Sequence, residues 1–271
     1  MKECVQPYYV KDGLVHECSS FHMGLINEGK SIYEVARLGG TRLLFIDDHI
    51  DRLFKSLKLS GYNSWLSREE IHEQLNQLIR KNPVKEGNVK IVMNFRPGDY
   101  HHFLLYFVTH RYPSAEDYMN GVKLITYPFE RTDPNKKVWR PEFRQKVSES
   151  IRQNGAFEAL LLDSHGMVPE ASKANVFGIK NGAIITPPDE VILPGITRKY
   201  VLNACHDLGI PVEMRTFDVN EIETMDALFL TGTSIQVLPV SQVNQIMLTA
   251  KNATISNIMK QLEMTIENHL G

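Results

Sequence analysis

The stretch Ile192-Leu193-Pro194-Gly195-Ile196-Thr197-Arg198 runs directly into a helical pattern from Lys199 to Leu208. A Pro-Gly turn that opens into a helix leaves the first backbone N–H groups of that helix unpaired. Such an N-terminus, with the hydroxyl of Thr197 beside it, can bind a phosphate. The same pattern also occurs at loop-to-helix junctions that bind nothing, so this stretch alone leaves both interpretations open.

Two further segments flank this turn and change its interpretation. They are Glu170-Ala171-Ser172-Lys173-Ala174-Asn175-Val176-Phe177 upstream and Phe229-Leu230-Thr231-Gly232-Thr233-Ser234 downstream, the latter followed by Leu238-Pro239-Val240. In this order the segments resemble the signatures of the class IV aminotransferase family, the fold-type IV enzymes that use pyridoxal 5′-phosphate. That family includes branched-chain and D-amino acid aminotransferases and 4-amino-4-deoxychorismate lyase. The resemblance extends from about Ile32 to Val240.

Chain length and the resemblance together predict two domains. The 271 residues, 42% of them hydrophobic, are enough for two moderate cores. The resemblance implies an α/β (α+β) fold of the two-domain fold-type IV kind, with a small α/β N-terminal domain and a larger barrel-like C-terminal domain. We place the N-terminal domain at residues 1–112, an interdomain linker at 113–120 and the C-terminal domain at 121–271. The many short strands and turns after residue 121 agree with a barrel-like domain.

Local patterns predict the main elements of the first domain. Ser67 marks the start of an amphipathic helix that runs to Lys81. A strand-like run over Leu43–Ile46 precedes a helix that Asp47 or Asp48 can cap. Two further strands are predicted at 89–95 and 103–108, joined by a turn at Pro97-Gly98-Asp99.

The helix after Asp48 carries the motif His49-Ile50-Asp51-Arg52-Leu53. In the family, the arginine of the matching His-x-x-Arg-Leu motif holds the phosphate of the cofactor, and the resemblance implies this role for Arg52. A planar guanidinium suits the task because it offers paired N–H donors to phosphate oxygens. Without the resemblance, an arginine on a helix is usually a solvated surface charge.

Three lysines, Lys136, Lys137 and Lys146, lie where the family places its cofactor-binding lysine. The family's lysine precedes a helix that ends near a Gly-x-x-Glu turn, here Gly155-Ala156-Phe157-Glu158. Lys137 agrees with the family's spacing both to this turn and to Glu170, whereas Lys146 falls inside the helix. We therefore predict Lys137 as the catalytic lysine, which forms a Schiff base with the cofactor and then moves a proton as general base, with Lys136 as the alternative.

The resemblance also implies the remaining cofactor contacts. Glu170 is the expected partner of the pyridine nitrogen, where a carboxylate stabilises the protonated ring. Ile196, Thr197, Gly232 and Thr233 are expected to bind the phosphate together with Arg52, because backbone N–H groups and hydroxyls are suitable donors. Ala171 stands where the family usually has glycine.

The segments on the substrate side depart from the family pattern. Lys30 and Ser31 replace an acid and a glycine, and Ile26 stands where D-amino acid aminotransferases place a carboxylate-binding tyrosine. Arg96 and Ser234 are the residues that we predict on the substrate side, although an arginine in a hairpin turn is more often structural. These departures lie on the substrate side, so the prediction of cofactor binding stands and the identity of the substrate stays open.

The sequence thus predicts a pyridoxal 5′-phosphate-dependent aminotransferase that transfers an amino group between an amino acid and a 2-oxo acid. One alternative is a lyase of the 4-amino-4-deoxychorismate type, and another is a protein that binds the cofactor or a phosphate without catalysis. The resemblance implies a homodimer.

Composition excludes several other classes of partner. The formal net charge of −2 provides no basic excess for nucleic acids or acidic membranes, so we expect a small-molecule substrate. The three cysteines, Cys4, Cys18 and Cys205, are odd in number and lack metal-ligand spacing, so neither a disulfide framework nor a metal site is expected. No targeting or transmembrane segment is evident, and we expect a cytoplasmic protein.

Overall fold

The computed structural model describes residues 3–98 and 100–270, and these form two compact units. The first unit contains the chain up to Arg111, the segment Lys136–Pro141 and the last residues from His269. The second unit contains Tyr112–Asn135 and Glu142–Asn268. In the described residues, no helix combines the length and the apolar character needed to span a bilayer.

An antiparallel six-stranded sheet forms the centre of the first unit, with strand order β2-β1-β6-β5-β3-β4. Its strands are β1 (Tyr8–Lys11), β2 (Leu14–Glu17), β3 (Lys30–Gly39), β4 (Arg42–Leu43), β5 (Glu86–Phe95) and β6 (His101–Val108). The helices of this part of the chain are α1 (Gly24–Asn27), α2 (Ile46–Leu59) and α3 (Arg68–Lys81). The apolar sides of α2 and α3 pack on one face of the sheet, and a second apolar cluster that includes Tyr33, Tyr106 and Trp139 covers the other.

The two long helices of this unit begin differently from each other. The predicted start of α3 is confirmed, because Ser67 and Glu70 form a reciprocal capping box. The predicted strand over Leu43–Ile46 is wrong beyond Leu43. Phe45 adopts a left-handed conformation (φ 52°) and is the N-cap of α2, so Asp47 and Asp48 lie inside the first turn, where carboxylates favour the helix dipole. Of the predicted turn Pro97-Gly98-Asp99, Asp99 lies outside the described residues.

The second unit is built on an eight-stranded mixed sheet, in which β16 adds to β15 and the other strands follow the order β12-β11-β10-β14-β15-β7-β8. The small sheet β13-β9 completes it. The strands are β7 (Val122–Pro128), β8 (Glu158–Leu162), β9 (Met167–Val168), β10 (Asn175–Lys180), β11 (Ala183–Thr186), β12 (Val212–Met214), β13 (Phe217–Asp218), β14 (Ala227–Gly232), β15 (Gln236–Val243) and β16 (Ile246–Met247). The helices are α4 (Ala115–Asn120), α5 (Pro141–Gln153), α6 (Ile196–Asp207) and α7 (Ala253–Leu270).

The cysteines differ from the sequence-based expectation. Cys4 and Cys18 form a disulfide with a Cα–Cα distance of 6.1 Å, which corrects the expectation of no disulfide. The β1–β2 hairpin explains this disulfide. Cys4 forms a β-bridge with Val108 of β6, and the hairpin reverses the chain so that Cys18, directly after β2, lies beside Cys4. Cys205 remains a buried thiol, and burial raises its pKa to about 11.

Candidate active site

A buried ion pair between Glu34 of β3 and Arg52 of α2 organises the candidate site residues of the first unit. Arg52 donates from Nε to Oε1 of Glu34 and from Nη2 to Oε2, both at 2.7 Å. Glu34 is fully buried and Arg52 is 8% exposed. This paired geometry fixes the plane of the guanidinium, because two parallel N–H···O bonds allow one orientation.

His49 completes this buried cluster one helical turn before Arg52. Its Nδ1 lies 2.9 Å from Oε2 of Glu34. Burial lowers the pKa of His49 and outweighs the opposing effect of Glu34, so the neutral imidazole is favoured. For Glu34, burial raises the pKa, but the positive charges of Arg52 and Lys137 and the hydrogen bonds from His49 and Arg52 dominate and leave it far below its ordinary value.

Lys137 lies in a short extended segment that pairs with the edge of β3. The Tyr33 N–H donates to the carbonyl of Lys137 at 3.0 Å, and Val138 bridges to Ile32. The Lys137 N–H donates to Ser56 Oγ of α2 at 3.3 Å. Its Nζ lies 5.5 Å from the centroid of the Tyr33 ring and lowers the pKa values of both Glu34 and His49 through its charge.

Thus Lys137 and Arg52, two of the predicted site residues, both interact electrostatically with Glu34. Lys136 precedes Lys137 in the same segment, whereas Lys146 lies within α5, in the second unit. Glu34 and His49 were absent from the predicted site. His49 stands in the motif that identified Arg52, but no periodicity distinguishes a buried carboxylate in a strand such as β3.

Glu170, in the second unit, is a buried carboxylate with a cationic partner. It is 3% exposed, and Arg131 Nε lies 2.9 Å from its Oε1. Its Oε2 accepts a hydrogen bond from the Leu193 N–H at 3.3 Å. Arg131 also donates to the carbonyl of Ser172 at 3.1 Å, so it joins both ends of the Glu170–Ser172 turn. Arg131 was not among the predicted site residues, because no motif marks the loop after β7.

The Pro-Gly turn before α6 packs closely against Asn175. Gly195 is the N-cap of α6 and has no side chain to cap the helix, and Ile196 and Thr197 are its first two residues. A Cβ added at Gly195 would lie 2.0 Å from Oδ1 of Asn175, so glycine is required here. Asn175 donates to the carbonyl of Leu193 at 2.9 Å.

Asn175 also connects this turn to the predicted Thr-Gly-Thr turn. It pairs in register with Thr231 of β14, directly before Gly232 and Thr233. The structure therefore brings the α6 N-terminus and the Thr231–Thr233 turn to the same end of β10. The hydroxyl of Thr231 is buried and has no hydrogen-bond partner within the described part of the chain. A Cβ at Gly232 would make only ordinary contacts, 3.4 Å or more, with its neighbours.

Arg96, a predicted substrate-side residue, makes several contacts within the first unit. Its Nη1 lies 2.8 Å from Glu28, its Nη2 donates to the Gly24 carbonyl at 2.5 Å, and its Nε donates to Asn94 at 3.1 Å. A substrate carboxylate would have to compete with Glu28 for this guanidinium. Ser234 follows Thr233 in the loop between β14 and β15.

Comparison with known proteins gives matches over most of the chain. Residues 31–243 match the profile of the family described as "Amino-transferase class IV". A probable branched-chain-amino-acid aminotransferase of Aquifex aeolicus is 31% identical over 90% of this chain and 83% of that protein. The aminodeoxychorismate lyase of Bacillus subtilis is 26% identical over 80% of this chain and 79% of that protein. A longer relative, the branched-chain-amino-acid aminotransferase-like protein 1 of Arabidopsis thaliana, is 25% identical over 81% of this chain, which spans 42% of it.

The fold of this chain is also similar to that of a solved structure. The branched-chain amino acid aminotransferase of Escherichia coli superposes with a TM-score of 0.85 at 21% identity, over 97% of this chain and 95% of that one. The predicted α/β fold of the fold-type IV kind is confirmed.

Proposed function

Because the chain belongs to the class IV aminotransferase family, whose members are pyridoxal 5′-phosphate-dependent aminotransferases or lyases, we propose that it transfers an amino group between an amino acid and a 2-oxo acid. The observation that carries this proposal is the shared interaction of Lys137 and Arg52 with the buried carboxylate of Glu34. An amine and an anion-binding guanidinium organised by one buried group are what a phosphorylated aldehyde cofactor requires.

The other residues present also fit such a cofactor. The α6 N-terminus offers the N–H groups of Ile196 and Thr197 and the Thr197 hydroxyl, and these together with Gly232, Thr233 and Arg52 would bind the phosphate. The buried hydroxyl of Thr231, which has no hydrogen-bond partner among residues 3–98 and 100–270, supports an anion beside this turn. Pyridoxal 5′-phosphate, when bound, supplies an aldehyde that condenses with amines and a ring that withdraws electrons from the bond to be broken.

Glu170 would hold a proton on the pyridine nitrogen. Arg131 supplies an opposite charge to this carboxylate, since its Nε lies 2.9 Å from Oε1. As a carboxylate, Glu170 would accept a hydrogen bond from the ring N–H and stabilise the positive charge of the ring.

Lys137 would bind the cofactor through Nζ and, once the substrate amine has displaced it, move a proton at the substrate Cα. A general base must be neutral for part of the time. As a neutral amine, Lys137 would accept this proton and then return it.

The proposal also includes the substrate-side residues and the oligomeric state. We place Arg96 and Ser234 on the substrate side and propose a homodimer. A lyase of the aminodeoxychorismate type is the second candidate, because a relative of that kind matches 80% of the chain.

The experiment that tests the proposal separates these candidates. The purified protein is reconstituted with pyridoxal 5′-phosphate and given amino acids with 2-oxoglutarate, or aminodeoxychorismate alone. Amino-group exchange supports the aminotransferase, and pyruvate release without exchange supports the lyase. A cofactor absorbance band that no amine or amino acid changes would contradict both, and would leave a binding protein without catalysis.

A further inference from the structure

Lys90 of β5 is a buried lysine that the proposed chemistry does not use. It is 2% exposed and lies on the face of the sheet opposite α2 and α3. Its Nζ lies 3.5 Å from the centroid of the Trp139 ring, 5.1 Å from that of Tyr33 and 5.7 Å from that of Tyr106. Burial of an ammonium costs free energy, so an ammonium enclosed by three aromatic rings calls for a compensating role.

The carboxylate of Glu3 pairs with this charge. Glu3 Oε1 accepts a hydrogen bond from Lys90 Nζ at 2.7 Å. Glu3 precedes Cys4, whose bridge to Val108 and disulfide to Cys18 attach this segment to the sheet. Lys90 therefore connects the N-terminal segment to the aromatic rings.

Two of those rings, Trp139 and Tyr33, lie close to Lys137. Trp139 lies two residues after Lys137 in the same extended segment, and its backbone N–H donates to the Ser31 carbonyl at 2.9 Å. The Tyr33 ring contacts both cations, since Lys137 Nζ lies 5.5 Å from its centroid. The indole N–H of Trp139 also donates to Asn27 at 2.9 Å. Lys90 thus contacts both rings that define where the Lys137 segment meets β3.

We propose that Lys90 is a positioning residue for Lys137. Charged and paired with Glu3, it holds Trp139 and Tyr33, and through them the edge segment that presents the Lys137 amine. This inference rests on the proposed function, because it takes Lys137 as the cofactor-binding lysine.

The first test is hydrogen exchange of the protein without cofactor. In Lys90→Met, which keeps an apolar side chain of similar length, we expect the Tyr33 and Trp139 amides to exchange about 5- to 30-fold faster, since a desolvated cation–π contact has been removed. Amides between β5 and β6 should change less than about 3-fold. Lys11→Met, in β1 of the same sheet, is the control and should leave the Tyr33 and Trp139 amides unchanged. Equal acceleration throughout the sheet, or none at Tyr33 and Trp139, would overturn the proposal.

The second test measures whether a substitution raises or lowers the pH at which the cofactor absorbance titrates. With cofactor bound, Lys90→Met removes a cation near Lys137 and should raise the pH at which the visible absorbance of the cofactor titrates, by about 0.5 unit. Glu3→Gln removes the carboxylate paired with that cation and should lower the same pH. Loss of support alone would move both variants in one direction, and that result would overturn the proposal.

A second variant covers a failure of folding. If Lys90→Met does not fold, Glu3→Gln replaces it, because it removes the carboxylate that holds Lys90; exchange must then still increase more at Tyr33 and Trp139 than between β5 and β6. If the cofactor labels a lysine other than Lys137, the proposed function fails. Exchange in the cofactor-free protein then still reports whether Lys90 holds this segment.

Discussion

Glu34 accepts two hydrogen bonds from Arg52, both at 2.7 Å, in a fully buried position between β3 and α2. The same carboxylate contacts His49 and is within electrostatic reach of Lys137. The arginine predicted to bind the phosphate and the lysine predicted to bind the cofactor therefore both interact with a residue that was not among the predicted site residues.

The first prediction concerns this carboxylate. Glu34→Gln removes the buried carboxylate charge that accepts two hydrogen bonds from Arg52, and we expect a loss of about 3–5 kcal/mol in the free energy of unfolding. We also expect pyridoxal 5′-phosphate to bind at least about tenfold more weakly, because Arg52 is no longer oriented. Urea denaturation and an absorbance titration measure the two effects. Glu86→Gln, which breaks the exposed pair with Arg37 in the same sheet, should cost less than about 1 kcal/mol. Equal effects of the two substitutions would contradict the role of Glu34.

The second prediction follows from the lowered pKa of His49. In the unfolded chain this imidazole takes up a proton as the pH falls below about 6.5, whereas in the folded protein it stays neutral to lower pH. Its contribution to stability is therefore complete above pH 6.5 and is lost as the pH falls from there. His49→Gln should flatten the decrease of the unfolding free energy between about pH 7.5 and 5.5, by up to about 1.4 kcal/mol per pH unit. An unchanged slope in this variant would count against a buried neutral imidazole.

The third prediction concerns the effect of Glu34 on stability at more acidic pH. Its folded pKa lies below its ordinary value of 4.5, so it stabilises the fold above that pH and loses this effect as the pH falls through the folded pKa. The difference in unfolding free energy between the natural protein and Glu34→Gln should be constant from about pH 8 to 5 and shrink below about pH 4.5. A difference that stays constant to pH 3 would show that ionisation of Glu34 does not contribute.

The fourth prediction separates packing from phosphate binding at Gly232. A Cβ there meets no protein atom closer than 3.4 Å, so Gly232→Ala should change the unfolding free energy by less than about 1 kcal/mol. If a phosphate approaches this backbone, as we propose, the same methyl group should weaken cofactor binding by about tenfold or more. Gly195→Ala is the comparison, because its Cβ would clash with Asn175 and destabilise the protein even without cofactor. Unchanged cofactor affinity in Gly232→Ala would remove this turn from the proposed site.

The disulfide supplies the fifth prediction. Thiol titration of the unfolded, unreduced protein should find one reactive cysteine, Cys205, and three after reduction. Reduction should lower the unfolding free energy by about 2–3 kcal/mol, because the bridge closes a loop across 14 positions of the chain. The double variant Cys4→Ser/Cys18→Ser should be insensitive to reductant. Three reactive thiols before reduction would exclude the bridge.

Local signals in the sequence were sufficient where the structure depends on neighbours in the chain. The start of α3 follows from Ser67 and Glu70, because a capping box is formed within one turn. The helix bearing Arg52 follows from its apolar periodicity. Its start does not, since the left-handed conformation of Phe45 cannot be read from residue types. The family motifs provided Lys137, Arg52 and Glu170.

The residues that were missed depend on contacts between distant parts of the chain. Glu34 and Arg131 act through ion pairs with Arg52 and Glu170, and neither pair leaves a periodic pattern in the sequence. Cys4 and Cys18 are adjacent only because the β1–β2 hairpin returns the chain. Contacts of this kind can be identified only from the three-dimensional structure.

The most direct test of the proposed function is the identity of the lysine that binds the cofactor. The protein is reconstituted with pyridoxal 5′-phosphate, reduced with borohydride and digested, and the labelled peptide is sequenced. We predict the label on Lys137, with loss of labelling in Lys137→Arg and retention in Lys136→Arg. Label on Lys136 or Lys146, or a protein that takes up no label, would contradict the account.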